Sequence, residues 1–179
     1  MENSALILLD IQKDFVGEQA RMPVARHQVE PMLNTMNTMI TQANQAKIPI
    51  VYIGNEFEKR QFIANWFRKQ AALKNSAGAE LDERLQVVSE HYFAKNKGDA
   101  LSNPGLVRFL KSRGVRHLII SGLFAEGCVA ATALGGKRYR YKVTIIRDAV
   151  AGATDKKRDL SLEKLATKGV SVINSTELF

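Results

Sequence analysis

Thiol groups are almost missing from this sequence: its 179 residues hold one cysteine, Cys128. A single cysteine excludes an internal disulfide, and a leftover thiol is unusual in a secreted domain, so a reducing compartment is expected. Long apolar runs are missing too. No stretch reaches the roughly 18 apolar residues of a spanning helix, and the opening Met-Glu-Asn-Ser carries neither a basic region nor a small-residue cleavage site. The expectation is a cytoplasmic protein with no membrane partner. Histidine is scarce, with only His27, His91 and His117. None of the three stands where it would make an ordinary Cys-His pair with Cys128. Internal repeats and low-complexity segments are absent.

What is present fits one domain over residues 1–179, long enough to bury about 70% of its unfolded surface in a core. Hydrophobic residues at 45% and charged residues at 25% match globular averages, which excludes the disordered and fibrous classes. The net charge of +8 and pI near 9.7 would suit an acidic partner. The run Lys137-Arg138-Tyr139-Arg140-Tyr141-Lys142 interleaves basic and aromatic residues as nucleic-acid binders do. Elsewhere, however, the basic residues are mixed with Asp and Glu, and no nucleic-acid motif accompanies them. A solvated face is the simpler reading, and nucleic acid is not an expected partner.

Apolar runs and helical periodicity alternate along the chain. Strands are predicted over residues 5–9, 48–54, 87–93, 117–122, 142–147 and 170–174. Between them, Val29, Met32, Leu33, Met36, Met39, Ile40 and Ala43 recur at helical spacing within 24–47. This methionine-rich stripe reads as core. Asn103-Pro104 opens a helix that Gly114 stops, and further helices are predicted from residue 129 to 135 and over 156–168. The segment 56–74 is helical or partly helical and rich in aromatics: Phe57, Phe62, Trp66 and Phe67. It belongs to the core or borders a pocket or an interface, since aromatic anchors suit both. Such alternation implies a mostly parallel α/β sheet covered on both faces.

In open α/β sheets, ligands bind outside the carboxyl ends of the strands. Asp10 follows the first predicted strand, Lys95 the third, and Gly122-Leu123-Phe124-Ala125-Glu126-Gly127-Cys128 the fourth. A free cysteine is commonly a small buried hydrophobe. Here it opens an Ala-rich helix, where unpaired N–H groups and a neighbouring Lys ammonium are expected to lower its pKa. A nearby carboxylate would instead raise it and take the proton directly, which makes Asp10 the natural general base.

These residues resemble the isochorismatase-like cysteine hydrolases, a family that includes nicotinamidases, N-carbamoylsarcosine amidases and ureido and biuret hydrolases. The resemblance rests on four ordered motifs across nearly the whole chain: LLDIQKDF, FAKNKGDAL, GLFAEGCV and RYKVTIIRDAVAG with Asp148. It implies an α/β, Rossmann-like sheet of about six strands with helices on both faces. It assigns Asp10 as general base, Cys128 as nucleophile and Lys95 as supporting cation, with Lys97 the competing choice. It also implies a cis peptide between Leu123 and Phe124, and an oxyanion hole made by the N–H groups of Phe124 and Cys128. Phe15, Asn55, Phe57, Trp66 and Phe67 are the candidates for the substrate pocket.

The sequence also departs from the family pattern. Ala125 stands where many members carry Thr or Ser, so any polar contact from that side chain is lost. The stretch after the second strand, IGNEFEKRQF, lacks the His residues with which nicotinamidases bind a metal, so neither a metal nor another cofactor is expected. A cysteine at 128 argues for amide or ureido cleavage over hydrolysis of isochorismate. The expectation is therefore a hydrolase of a small-molecule C–N bond acting through a thioester, assembled as a homodimer or homotetramer. A catalytically silent binding protein and a hydrolase of a different bond are the alternatives. A positively charged pocket would favour an acidic amide, but the sequence leaves open which basic residues face inward.

Overall fold

A computed structural model of the chain describes residues 3–178. Its strands are β1 (Ser4–Leu9), β2 (Ile50–Asn55), β3 (Tyr92–Lys95), β4 (His117–Gly122), β5 (Lys142–Val150) and β6 (Ser171–Ile173). They form one sheet in the order β3-β2-β1-β4-β5-β6, and every pairing is parallel. The helices are α1 (Lys13–Val16), α2 (Arg26–Gln45), α3 (Phe62–Phe67), α4 (Pro104–Ser112), α5 (Ala130–Arg138) and α6 (Asp155–Thr167). This is the doubly wound arrangement that the alternation of patterns implies.

The continuous apolar run of β1 follows from its central place, because a strand covered on both faces has no polar side. Leu6 and Leu8 point into one apolar cluster with Met32, Met36 and Ile40 of α2. Ala5, Ile7 and Leu9 point into the opposite cluster with Leu106 and Leu110 of α4, Ala133 of α5 and Leu162 and Leu165 of α6. The methionine stripe is core, as its spacing predicts. Asn103 caps α4 by accepting from Gly105 N–H at 2.7 Å and Leu106 N–H at 3.4 Å, and Gly114 takes φ +64° beyond the helix end. Among the described residues no helix is long and apolar enough to cross a membrane.

Two strands differ from their sequence reading, and the aromatic segment is partly helical. The third strand starts at Tyr92 rather than near 87, because side chains hold the backbone before it. Tyr52 Oη donates to Gln86 O at 3.0 Å and accepts from Val88 N–H at 3.0 Å, and Ser89 Oγ donates to Ile50 O at 2.8 Å. Lys95 is the last residue of the strand. The fifth strand continues to Val150, carrying the Asp148 carboxylate to Ser175, whose N–H and hydroxyl donate to it at 2.8 and 2.6 Å. Only six residues of the aromatic segment are helical. Asn65 is the residue of α3 that turns inward, its side-chain Nδ2 donating to Glu58 O at 2.9 Å while its backbone carbonyl accepts Gln70 N–H at 2.8 Å. That roll leaves Phe62, Ile63, Trp66 and Phe67 between 72% and 78% exposed.

Candidate active site

The sheet order reverses between β1 and β4, and at such a switch point the chain leaves adjacent strands toward opposite faces, opening a crevice at their carboxyl ends. Asp10 stands directly beyond β1 with φ +63°. Asn55 and Lys95 end β2 and β3 and are paired across the ladder, so register alone places them side by side. The chain leaving β4 passes through a π-helical turn, Ala125–Val129, that carries Cys128 over the same edge.

Lys95 is the hub of this cluster. Its Nζ donates to Asp10 Oδ2 at 3.0 Å, to Asn55 Oδ1 at 2.6 Å and to Cys128 Sγ at 3.1 Å. All three donor positions of an ammonium are therefore used. The side chains of Lys95 and Asp10 are 0% and 1% exposed. Burial by itself would lower the Lys95 pKa, but the Asp10 carboxylate and the Cys128 sulfur outweigh it and hold the pKa above its ordinary value. The ammonium thus persists across the neutral range. Asp10 Oδ1, by contrast, is buried with no hydrogen-bond partner among the described residues.

Of the two lysines considered for this position, the structure brings Lys95 to Asp10 and Cys128. Lys97 is exposed and lies at the rim of the cavity above them. Gln12 was not singled out from the sequence, although it lies within LLDIQKDF. Its amide clamps the strand end: Oε1 accepts Asn55 N–H at 2.8 Å, and Nε2 donates to Asn55 O at 2.8 Å and Ala79 O at 2.6 Å. The place of Gln12 two residues beyond a strand-end carboxylate was the available signal.

The expected lowering of the Cys128 pKa does not hold. Burial, followed by the Asp10 charge, pushes the thiol up to about 12, and Lys95 opposes this only in part. The regular helix begins at Ala130, while Gly127, at φ −118° and ψ −107°, breaks the turn before it. Cys128 therefore sits inside an irregular turn directly ahead of α5.

Peptide bond Leu123-Phe124 is cis. In the loop after it, Ala125 N–H donates to Ala151 O at 2.8 Å, and Gly127 and Val129 N–H donate to Phe124 O at 2.9 and 3.2 Å. Neither Phe124 N–H nor Cys128 N–H is among these donors. The Ala125 side chain is buried in the apolar cluster with α4, α5 and α6, so its departure from the family pattern alters the core rather than the cavity.

A cavity of about 340 Å³ opens above Cys128, walled by Phe15, Met22, Asn55, Phe57, Phe124 and Gly127. Phe15 and Phe124 meet edge to face with ring centroids 5.7 Å apart. Three of the five pocket candidates, Phe15, Asn55 and Phe57, line it. Trp66 and Phe67 do not, because the inward turn of Asn65 directs them to solvent. Arg68, just beyond α3, lines the cavity and was missed by the sequence reading. Among the described residues no three His, Cys, Asp or Glu side chains cluster as metal ligands.

A carboxylate, an ammonium and a thiol converging at the switch point of a parallel sheet define a candidate cysteine hydrolase. The Isochorismatase domain family model matches residues 4–177, and the chain belongs to that family. It is 27% identical over 163 residues to a probable inactive nicotinamidase of Arabidopsis thaliana, covering 85% of this chain and 82% of the relative. It is 25% identical over 170 residues to the ureidoacrylate amidohydrolase of Yersinia enterocolitica, covering 82% and 74%. A solved isochorismatase-like hydrolase from Alkaliphilus metalliredigens superposes with a TM-score of 0.89 at 20% identity, covering 98% and 97%, a likeness of fold.

Proposed function

We propose that this chain is an amidohydrolase that cleaves the C–N bond of a small amide or ureide through a thioester on Cys128. The observation that carries this reading is the single ammonium, Lys95 Nζ, bonded at once to Asp10 and to the Cys128 sulfur. The family to which the chain belongs, and an amidohydrolase among its relatives, support the same bond class.

In this mechanism the resting thiol is protonated, as its high pKa requires. Asp10, held by Lys95 through Oδ2, has Oδ1 free to accept the thiol proton as Sγ attacks the carbonyl carbon. The C=O π pair moves onto oxygen, and the N–H groups of Phe124 and Cys128 would receive that charge, each such donor being worth roughly 3 kcal/mol. Asp10 then returns the proton to the departing nitrogen as the C–N bond breaks. Water, deprotonated by the same carboxylate, attacks the thioester, and the thiol leaves reprotonated. Lys95 keeps its charge throughout and holds the carboxylate in place.

Cys128→Ala is expected to abolish ammonia release from a panel of amides and ureides while leaving the far-UV circular dichroism unchanged. Mass spectrometry of the wild type, quenched during turnover, is expected to show an acyl adduct on the Cys128 peptide. Undiminished turnover in the variant would refute the mechanism. The competing reading, a silent member that binds without hydrolysis, draws on the relative named probable inactive. It would gain if no amide or ureide were turned over and Cys128 failed to react with small electrophiles.

A further inference from the structure

The cavity holds two cations that the proposed hydrolysis does not use. Arg68 is half-buried, with its guanidinium stacked 3.9 Å above the ring of the buried Phe57. Stacking occupies the face of the guanidinium and leaves its edge, where the N–H donors lie, available. The side-chain hydrogen bond made there is a long one, to Gln61 Oε1 at 3.5 Å. Among the described residues no carboxylate lies in salt-bridge range of Arg68 or of Lys97. Arg84 shows what a structural arginine looks like in this fold: two of its nitrogens are forked onto Asp82 at 2.8 and 3.0 Å, and a third reaches Glu30 at 2.6 Å. The Arg68 edge has nothing comparable.

The charge balance of the cavity points the same way. At its floor, the Lys95 charge is matched by Asp10 and the thiol is neutral. At its rim stand Arg68 and Lys97, opposed by one acidic lining residue, Glu126, whose Oε1 accepts Ala153 N–H at 3.0 Å. Between floor and rim the walls are apolar: Phe15, Met22, Phe57 and Phe124. The volume of about 340 Å³ lies at the small end of ligand sites. Such a site fits a short molecule with a reactive amide at one end, an apolar middle and an anion at the other. A planar guanidinium edge matches the two oxygens of a carboxylate.

We propose that the substrate carries a carboxylate at the end remote from its scissile amide, and that Arg68, aided by Lys97, binds it. This deepens the amidohydrolase reading and rests on it, but binding can be measured apart from turnover. In Cys128→Ala protein, which retains the cavity and cannot form a thioester, calorimetric titration would compare malonamic, succinamic and glutaramic acids with their methyl esters. At least one acid is expected to bind roughly ten- to hundredfold tighter than its ester, the range for a hydrogen-bonded charge. Adding Arg68→Gln is expected to remove most of that gap and Lys97→Gln a smaller part. Adding Arg68→Lys should keep only a fraction, since a lysine lacks the fork. Thermal melts of each variant confirm an intact fold. Esters binding as tightly as acids, no acid binding at all, or a gap indifferent to Arg68→Gln would overturn the proposal. Ammonia release by the wild type tests hydrolysis independently: tight, Arg68-dependent binding without turnover would refute the hydrolase and leave the carboxylate site standing.

Discussion

The floor and the rim of the cavity are built by different means. At the floor, Asp10, Asn55 and Lys95 occupy strand ends whose separation is set by the backbone ladder, and Gln12 locks the middle strand end from behind. At the rim, Arg68 follows a six-residue helix that buries one polar side chain and exposes four large apolar ones. The floor thus has the rigidity that bond-making chemistry requires, whereas the rim can change sequence without disturbing the sheet. A family with one reaction centre and many substrates would vary the second and keep the first.

The contrast can be tested by substitution, and the largest effect is expected at the hub. Lys95→Met leaves the Asp10 carboxylate buried without its cation and should cost about 3–5 kcal/mol in urea unfolding. A loss below about 1 kcal/mol would mean that the pair contributes as little as an exposed one. Gly122→Ala comes next. At φ +120°, a Cβ there would overlap the Leu9 carbonyl oxygen where β1 and β4 end, and roughly 3 kcal/mol or more should be lost. Retained stability would show that these strand ends can separate freely. Gln12→Ala removes three hydrogen bonds from buried backbone groups and is expected to cost about 2–4 kcal/mol. It should also lower turnover by letting Asn55 drift from Lys95. At the rim, Trp66→Ser should change stability by no more than about 0.5 kcal/mol, because the indole is largely in water. A larger loss in the isolated protein would show that α3 packs more tightly than its exposure implies.

The same contrast explains what the sequence disclosed. Buried strands are legible as apolar runs, and residues just beyond them lie at the carboxyl edge by topology, so Asp10, Lys95 and Cys128 could be picked out before any coordinates. The choice of Lys95 over Lys97 rested on the resemblance, through the offset to Asp99-Ala100-Leu101, whereas the start of β3 was missed because Tyr52 and Ser89 hold the preceding segment out of the ladder. The direction of the Cys128 shift was misread because burial and the proximity of Asp10 are three-dimensional facts. Trp66 and Phe67 looked like pocket residues from composition. A single buried amide, Asn65, turned them outward and left Arg68 facing the cavity. Short segments whose orientation hangs on one such bond carry little periodic signal.

The most direct test of the Asp10-Lys95-Cys128 arrangement is the rate at which iodoacetamide alkylates Cys128 as a function of pH, in the wild type and in Asp10→Asn. The chain has no other thiol to confuse the reading. With the thiol pKa raised to about 12 by burial and by the Asp10 carboxylate, the wild-type rate should keep climbing through pH 10 without a plateau. Neutralising the carboxylate removes a like charge and lowers the thiol pKa, so Asp10→Asn should react faster near pH 9 even as it loses ammonia release. A wild-type plateau centred near the free-thiol value of about 8.5, or a profile unmoved by Asp10→Asn, would contradict the coupling of carboxylate and thiol on which the mechanism depends.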